Sequence, residues 1–327
     1  MTQIFTLNEI KKVLLEIDVT TAIEDGFVAY SNGNVVVPPV GELIFENPPG
    51  DVHIKYGYIK GDEYYVIKIA SGFPENIKLD LSSSNGLMLV FKQTTGELAC
   101  ILQDEGFLTN VRTAVAGKIV AKYLAPKSVH RIGILGTGIQ GRMQLEYLKP
   151  VIDCRDVIVW GRKQDRLDRY KTDMEPFGFS IQSTQAIEEV TSTCNFIVTT
   201  TSAKSPLVQF DQIKPGTHVT AMGSDTPDKI ELDPKILQKA DLIVADSIPQ
   251  CRERGEISHA LKAGLLDSGN IIELGKIISN PQLGRIDDNQ LTIADLTGVA
   301  VQDIQISKQV FESLMKSNYS ASKTQKL

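Results

Sequence analysis

A glycine-rich segment in the middle of the chain constrains its fold more than any other feature. The apolar run from Ile132 to Leu135 predicts a buried strand, and it leads directly into the motif Gly136-x-Gly138-x-x-Gly141. Residues 142–149 have a helical composition without a breaker, and a second apolar strand, 156–160, follows at the spacing of a βαβ unit. This order of elements favours a dinucleotide-binding fold over the alternative, a glycine-rich surface turn.

Each glycine of the motif has its own predicted role. Gly136 permits the tight turn, Gly138 allows a pyrophosphate to approach the backbone, and Gly141 allows the helix and the strand to pack closely. The phosphates are expected on the unpaired N–H groups at the helix N-terminus, where the helix dipole favours negative charge. The predicted cofactor contacts in this segment are therefore Gly136, Thr137, Gly138, Ile139, Gln140 and Gly141.

Length and composition narrow the class of protein. A chain of 327 residues is long enough for two domains, since a single core becomes less common beyond about 250–300 residues. The net charge of −6 gives no general attraction for nucleic acid or an anionic membrane, and no apolar run reaches the roughly 20 residues of a spanning helix. The four cysteines form no C-x-x-C pair and the four histidines have no ligand spacing, so neither a disulfide framework nor a metal site is expected. We therefore expect a cytoplasmic protein.

The first part of the chain is predicted to contain a helical stretch followed by consecutive strands. In the second part, strands and helices are predicted to alternate. Residues 7–31 have helical periodicity, and residues 35–102 are β-like, with turn signals such as Pro48-Pro49-Gly50. Helices are predicted at 109–124 and 300–315, and the pattern weakens beyond residue 270 before the second of these. Between them the candidate strands are 131–135, 156–160, 195–199, 217–222 and 242–246. This alternation predicts an α/β protein with a Rossmann-type doubly wound parallel sheet.

Four further segments are informative in combination. They are Lys68-Ile69-Ala70-Ser71-Gly72-Phe73-Pro74-Glu75-Asn76, Leu108-Thr109-Asn110-Val111-Arg112-Thr113-Ala114, Gly223-Ser224-Asp225-Thr226-Pro227 and Asp295-Leu296-Thr297-Gly298-Val299-Ala300-Val301-Gln302-Asp303. With the glycine motif, these segments resemble the ornithine cyclodeaminase/μ-crystallin family of NAD(P)-dependent enzymes. The resemblance implies a substrate-binding and dimerisation α+β domain (1–112 plus 301–327) into which the Rossmann domain (113–300) is inserted. It also implies an NAD(P)H cofactor, a small amino- or imino-acid substrate, and a homodimer whose N-terminal sheets join across the two-fold axis.

Three charged residues in these segments are candidates for substrate binding and catalysis. From the residues alone, Lys68 and Arg112 are solvent-facing cations by default, and Asp225 is equally an Asx-turn or helix-cap residue. The resemblance implies instead that Lys68 and Arg112 bind the substrate carboxylate, the guanidinium as a two-point fork and the ammonium as a point charge. It implies that Asp225 is the catalytic acid/base beside the substrate nitrogen, with Lys68 as its catalytic partner.

Other residues are expected near the cofactor. Thr199, Thr200 and Thr201 follow an apolar strand, and the resemblance implies that Asp295, Thr297, Gly298 and Asn85 also approach the cofactor. The second Rossmann strand is followed by Arg162 and Lys163, where NAD-preferring domains usually carry a carboxylate. These cations therefore predict a preference for NADP(H), the alternative being a solvated basic turn.

The strand before Lys68 bears on the substrate. Ornithine-cyclising members of the family carry an acidic residue there, whereas this chain has His53, with no acid expected nearby to replace it. Lys55 follows two residues later and is expected on the same strand face. This pair favours an anionic distal group, as in iminosuccinate, unless Lys55 is an ordinary solvated strand lysine.

We therefore predict an NAD(P)H-dependent oxidoreductase that interconverts a small imino or keto acid and an amino acid. One alternative is an ornithine cyclodeaminase-type lyase, in which the cofactor is oxidised and re-reduced within one turnover. A second alternative is a μ-crystallin-like binding protein without enzymatic activity. The joint presence of Lys68, Arg112 and Asp225 argues against lost catalysis.

Overall fold

The computed structural model describes residues 2–324, and within them the chain forms two compact units. The first unit takes the chain up to Arg112 and again from Val299 onward, whereas the second comprises Thr113–Gly298. Each unit is built on a sheet of its own. No helix among residues 2–324 is both long and apolar enough to cross a membrane.

The described residues form the following strands and helices. The strands are β1 (Gln3–Thr6), β2 (Val35–Val36), β3 (Gly41–Glu46), β4 (Pro49–Ile59), β5 (Tyr64–Gly72), β6 (Ser84–Lys92), β7 (Leu98–Gln103), β8 (Ile132–Leu135), β9 (Asp156–Trp160), β10 (Ser180–Thr184), β11 (Phe196–Thr199), β12 (Lys204–Val208), β13 (His218–Ala221), β14 (Ile230–Leu232), β15 (Leu242–Ala245), β16 (Ile271–Glu273) and β17 (Thr292–Asp295). The helices are α1 (Leu7–Leu14), α2 (Thr20–Ser31), α3 (Phe107–Leu124), α4 (Ile139–Leu148), α5 (Gln164–Met174), α6 (Ile187–Thr193), α7 (Lys235–Lys239), α8 (Ile248–Cys251), α9 (Gly255–Lys262), α10 (Leu274–Ser279) and α11 (Ala300–Thr324).

The first unit is built on a mixed sheet in the order β1-β7-β6-β5-β4-β2, with β3 also paired to β4. Residues opposite each other in the register share a face, so Lys55, Lys68 and Met88 lie on one side of this sheet. Helix α11 packs against β4 and β5, and these three side chains are buried. The alternation along β5 therefore places Lys68 on the buried face of the sheet, together with Tyr64 and Val66.

The predicted elements of the first unit are correct in type but not in every boundary. The helical stretch 7–31 forms two helices separated by residues 15–19. The turn predicted at Pro48-Pro49-Gly50 lies at Asn47-Pro48 instead, because Pro49 and Gly50 already belong to β4. The last helix begins at Ala300 as predicted and extends to Thr324.

The second unit is built on an eight-stranded sheet in the order β10-β9-β8-β11-β13-β17-β15-β16. Every pair in this sheet is parallel. The chain reverses direction across the sheet between β8 and β11, and such a switch point is where ligands bind in doubly wound sheets. The prediction of a Rossmann-type doubly wound parallel sheet is therefore confirmed.

Sequence periodicity did not predict β16 and β17, which lie beyond residue 270. Both strands are three or four residues long, too short for a period to emerge. Nevertheless β17 is completely buried and lies between β13 and β15 in the sheet.

Candidate functional site

A buried cluster of charged residues lies beneath α11 in the first unit. Lys68 is 2% exposed, and its Nζ lies 3.2 Å from Oδ2 of Asp303, which is itself 1% exposed. The Nε of buried Arg112 donates to the other oxygen, Oδ1, at 3.0 Å, and its Nη1 donates to Oε1 of Gln302 at 3.3 Å. One carboxylate thus holds the two predicted carboxylate-binding cations side by side. The solvent-facing alternative is wrong for both cations.

Local structure explains how these side chains reach the cluster. Helix α3 begins at Phe107 because Asp104 accepts a hydrogen bond from the Leu108 N–H at 2.8 Å, and Arg112 follows on the buried side. Asp303 lies in the first turn of α11, where the helix dipole favours a negative charge. Lys68 reaches the cluster from the sheet, through the buried face of β5.

The cluster carries an excess of positive charge away from water. Burial, opposed by Asp303 and assisted by the nearby Arg112, lowers the pKa of Lys68 to about 8. Burial alone would raise the pKa of Asp303, but Lys68, Arg112 and Lys55 together hold it below its usual value. Burial raises the pKa of the neighbouring Asp104. Three buried cations close together, Lys68, Arg112 and Lys55, favour the binding of an anion.

The strand β4 carries the two residues on which the substrate hypothesis depends. Lys55 is 8% exposed and lies directly opposite Lys68 in the register, so the solvated alternative is wrong for Lys55 as well. His53 shares this face, but the expectation that no acid lies near it is also wrong. Its Nδ1 is 3.4 Å from Oε1 of Glu42, and its Nε2 is 3.6 Å from Oδ1 of Asp51. Glu42 reaches His53 because β3 and β4 pair these two residues, a register that the sequence pattern does not reveal.

The glycine loop of the second unit has the geometry that a dinucleotide requires. A Cβ added to Gly138 would meet no protein atom within 4 Å, so the space above this residue is open to a ligand. A Cβ at Gly136 would lie 2.6 Å from Oγ1 of Thr200, and one at Gly141 would lie 2.3 Å from the Gly136 carbonyl oxygen. Gly136 also has a φ of +121°, which disfavours any other residue. The first and third glycines are thus needed for close packing and the second for access, as a pyrophosphate at the start of α4 requires.

An arginine that sequence reasoning missed braces this loop. Nη1 of Arg142 donates to the carbonyl oxygens of Thr137 and Gly138, and its Nε donates to Asp173 at 2.9 Å. The guanidinium also lies 5.0 Å from the ring centre of Tyr170. Arg142 therefore fixes the carbonyl groups of the loop.

The carboxyl ends of several strands bring other predicted residues to the same edge of the sheet. Leu135, Thr199, Ala221 and Asp295 are register partners in adjacent strands. The hydroxyl of Thr200 donates to the Leu135 carbonyl at 3.1 Å, which ties this threonine to the glycine loop. Residues Thr199–Thr201 therefore lie beside the predicted phosphate site.

Asp225 follows β13 at this edge, after the turn at Gly223. Its carboxylate is half exposed and forms an ion pair with Lys229, with Oδ1 2.6 Å from Nζ. Its backbone carbonyl accepts a hydrogen bond from Nη1 of Arg254 at 3.3 Å. The predicted acid/base is thus accessible from solvent and held in place by Lys229, a partner that sequence reasoning did not identify.

The segment after β17 uses its polar groups within the protein. Asp295 is 1% exposed, and its Oδ2 accepts a hydrogen bond from the N–H of Ile257, near the start of α9. Burial, together with the nearby Glu256, holds the pKa of Asp295 well above its usual range. Asp246 accepts hydrogen bonds from the Thr297 hydroxyl at 3.1 Å and from the Gly298 N–H at 2.6 Å. Asp295, Thr297 and Gly298, which were expected to approach the cofactor, therefore form hydrogen bonds within the protein.

The structure does not bring every predicted residue to these sites. Asn85 is exposed, lies on the face of the first sheet opposite to that of Lys68, and accepts a hydrogen bond from the adjacent Gly86 N–H. Arg162 and Lys163 are exposed just beyond the carboxyl end of β9, the strand next to β8. In the described part of the chain, no group of His, Cys, Asp and Glu side chains is arranged to hold a metal ion.

Comparisons with known proteins place these features in context. The model of the ornithine cyclodeaminase/mu-crystallin family matches residues 1–318. An archaeal alanine dehydrogenase dimer with bound NAD is 32% identical, with a TM-score of 0.88 and 97% of both chains covered. Thermococcus litoralis Δ1-pyrroline-2-carboxylate reductase, in complex with NADH and L-proline, is 26% identical, with a TM-score of 0.89 over 97% of this chain and 98% of that one. The iminosuccinate reductase of Paracoccus denitrificans, in complex with NAD+, is 28% identical, with a TM-score of 0.87 and 97% of both chains covered.

Proposed function

This chain belongs to the ornithine cyclodeaminase/mu-crystallin family, and we propose that it is an NAD(P)H-dependent oxidoreductase that interconverts a small imino or keto acid and an amino acid. The observation that carries this proposal is the buried cluster of Lys68, Arg112 and Asp303, whose excess positive charge suits a substrate carboxylate. The glycine loop of the second unit, open above Gly138, supports the cofactor assignment. The three similar solved structures support the reaction class, because they are an alanine dehydrogenase with NAD, a Δ1-pyrroline-2-carboxylate reductase with NADH and an iminosuccinate reductase with NAD+.

Binding of the carboxylate is assigned to Arg112 and Lys68. A guanidinium has five N–H donors, and the contacts of Arg112 within residues 2–324 use one on Nε and one on Nη1. The remaining donors suit a two-point contact with a carboxylate. Asp303 holds Arg112 by one oxygen and Lys68 by the other, so it fixes the spacing of the two cations before substrate binds.

Proton transfer is assigned to Asp225. When bound, NAD(P)H supplies the hydride that reduces the carbon of the C=N group. Asp225 gives a proton to the substrate nitrogen in this direction and takes one in reverse, and the ion pair with Lys229 keeps its carboxylate at the end of β13. The cofactor phosphates are assigned to the N–H groups of the loop from Gly136 to Gly141, which Arg142 braces.

The finer proposal concerns the substrate, for which a dicarboxylate such as iminosuccinate is favoured. Lys55 is buried opposite Lys68 and adds to the positive charge on this face of the sheet, which favours a second carboxylate there. A charge-assisted hydrogen bond to this carboxylate contributes roughly 1.5–3 kcal/mol. Lys55→Met should therefore lower kcat/KM for a dicarboxylate imine by about tenfold or more and leave a small monocarboxylate nearly unchanged. Equal losses on both substrates would show that Lys55 has only a structural role.

One observation favours a second candidate, an ornithine cyclodeaminase-type lyase. Glu42 lies 3.4 Å from His53 and supplies the acid near this strand that a distal amine would need. A lyase returns its cofactor to the starting state in each turnover, whereas an imine reductase consumes NAD(P)H. We propose to separate the two with a screen of keto acids plus ammonia, preformed cyclic imines, and ornithine, following the absorbance of the reduced nicotinamide.

A homodimer is proposed on the basis of the uncovered face of the first sheet. The side opposite Lys68 carries Tyr56, Ile67, Leu89 and Ile101 in register, all of them partly exposed among the described residues. An apolar sheet face of this kind is a characteristic association surface. Light scattering should give twice the chain mass, and Ile67→Lys should reduce it to that of one chain. A monomeric wild-type protein would refute this proposal.

A further inference from the structure

We propose that Glu231 is a positioning residue that fixes, with one buried carboxylate, both the loop assigned to the cofactor and the loop that carries Asp225. This inference rests on the proposed function for the roles of those two loops. Glu231 lies on β14 and is completely buried.

The hydrogen bonds of Glu231 join the two loops. Its Oε2 accepts from the Thr199 hydroxyl at 2.6 Å and from the Gly223 N–H at 2.8 Å, and its Oε1 accepts from the Thr201 N–H at 2.6 Å. Thr199 and Thr201 stand at the end of β11, whereas Gly223 follows β13 and precedes Asp225 by two residues. Three donors from two loops therefore converge on a single side chain.

The carboxylate of Glu231 is tightly packed between the two loops. A Cβ added to Gly223 would lie 2.1 Å from the Thr201 carbonyl oxygen and 2.5 Å from the carboxylate of Glu231. The two loops thus contact each other directly across Glu231. A shift of either loop has to move the other.

A second buried carboxylate, Glu256, holds Glu231 in turn. It accepts hydrogen bonds from the backbone N–H groups of Glu231 and Leu232, at 2.8 and 3.1 Å, and from the hydroxyl of Ser224. Ser224 is the residue between Gly223 and Asp225, so the Asp225 loop is anchored by both carboxylates. Burial, together with the charge of Glu231, raises the pKa of Glu256 to about 7.

The chemistry of the pair points to positioning rather than to ordinary core packing. Within residues 2–324 neither Glu231 nor Glu256 forms a salt bridge with a Lys, Arg or His, and a buried carboxylate without a cation is costly. The donors that compensate for this cost are mainly those of the loops that hold Asp225 and the cofactor. A carboxylate accepts at two oxygens at once and so suits three donors from separate loops. Errors of about 1 Å in such loops cost about 100-fold in rate, which gives the arrangement a functional consequence.

The test compares Glu231→Gln with the wild-type enzyme. The amide keeps the shape of the side chain, but its NH2 group must face at least one of the three donors, so at least one hydrogen bond is lost. We expect kcat to fall about tenfold or more and the Kd of the reduced cofactor to rise severalfold. The KM of the imino acid should change little, because Lys68 and Arg112 belong to the other unit.

The control is His218→Asn, at the start of β13, the strand that leads to Gly223 and Asp225. His218 is completely buried and bonded to the hydroxyls of Thr292 and Thr220, so its replacement should lower the Tm while kcat and the cofactor Kd stay near wild type. Glu231→Gln with wild-type kcat and Kd, or with only the changes that His218→Asn produces, would overturn the inference.

Two further measurements keep the test decisive. If Glu231→Gln does not fold, Thr199→Val removes one of the three donors and leaves the carboxylate in place; a fall in kcat supports the inference, and an unchanged kcat refutes it. If the wild-type protein reduces no imino or keto acid, the proposed function fails, yet the cofactor Kd measured by nicotinamide fluorescence still reports on Glu231. A Kd raised in Glu231→Gln but not in His218→Asn then supports the positioning of the Thr199–Thr201 loop, and an equal Kd refutes it.

Discussion

Replacing Arg112 with lysine tests the carboxylate-binding assignment while keeping the charge. The guanidinium uses Nε to bind Asp303 and Nη1 to bind Gln302, and donors remain for a two-point contact with the substrate. A lysine ammonium that stays with Asp303 cannot form that contact, because its donors share one atom. The loss of one charge-assisted hydrogen bond, roughly 1.5–3 kcal/mol, corresponds to a fall of roughly 10- to 150-fold in kcat/KM.

The assay measures initial rates of NAD(P)H oxidation against imino-acid concentration, with cofactor affinity measured separately by fluorescence. The matched control is Arg131→Lys, since Arg131 donates two hydrogen bonds to one carboxylate, that of Asp156, in the second unit and outside the cluster. We expect wild-type kcat/KM for this control and an unchanged cofactor Kd for both variants. Wild-type kcat/KM in Arg112→Lys would refute the assignment, and so would a loss of cofactor affinity equal to the loss in kcat/KM.

Three other predictions address the cofactor and the titration of the site. Gly138→Ala should keep the wild-type Tm but weaken cofactor binding about tenfold or more, because its Cβ would enter only the space assigned to the phosphates, whereas Gly141→Ala should lower the Tm as well; equal Tm losses would contradict this. Deprotonation of Lys68 should make kcat/KM fall as the pH rises through about 8, and Asp303→Asn should move this fall to lower pH because it removes the charge that raises the lysine pKa; a fall that stays in place or moves to higher pH would count against the cluster. NADPH should be used with a higher kcat/KM than NADH, and Arg162→Ala should reverse that order, since the exposed guanidinium is placed to meet a 2′-phosphate; a clear NADH preference in the wild type would refute the cofactor proposal.

The sequence predicted those parts of the fold that depend on local order. The glycine motif between a buried strand and a helix was enough to predict the Rossmann-type sheet, because the conformation and access required of each glycine are local properties. By contrast, β17 is Thr292-Ile293-Ala294-Asp295, and its place between β13 and β15 depends on long-range pairing. The sequence of these four residues does not indicate where β17 lies in the sheet.

The candidate site was predictable to a different extent at each residue. The burial of Lys68 could have been inferred from β5 itself, since Tyr64, Val66 and Lys68 alternate on one face and the first two are typical core residues. The place of Asp303 in the cluster could not have been inferred, because its partners lie on β5 and α3. Arg112, for example, precedes it by 191 residues. Glu42 was missed for a similar reason, since only the β3–β4 register places it opposite His53.

Buried polar residues inside apolar segments are the signal that was overlooked. Glu231 stands between Ile230 and Leu232, and Asp246 follows the apolar strand Leu242–Ala245. Each is buried, and each accepts hydrogen bonds from a loop at the carboxyl edge of the second sheet. An acidic residue within or just after a short apolar strand therefore indicates that a loop is being held in place, although the sequence does not reveal which loop.

The central claim is that the protein carries out net reduction of a C=N group at the expense of NAD(P)H. The most direct measurement follows reduced nicotinamide and amino acid together in one incubation with oxaloacetate and ammonia. The account predicts that cofactor oxidised and aspartate formed appear in equal amounts, and that Arg112→Lys lowers both rates in parallel. Conversion of ornithine to a cyclic product and ammonia, with no net change in the cofactor and no aspartate formed from oxaloacetate, would contradict it.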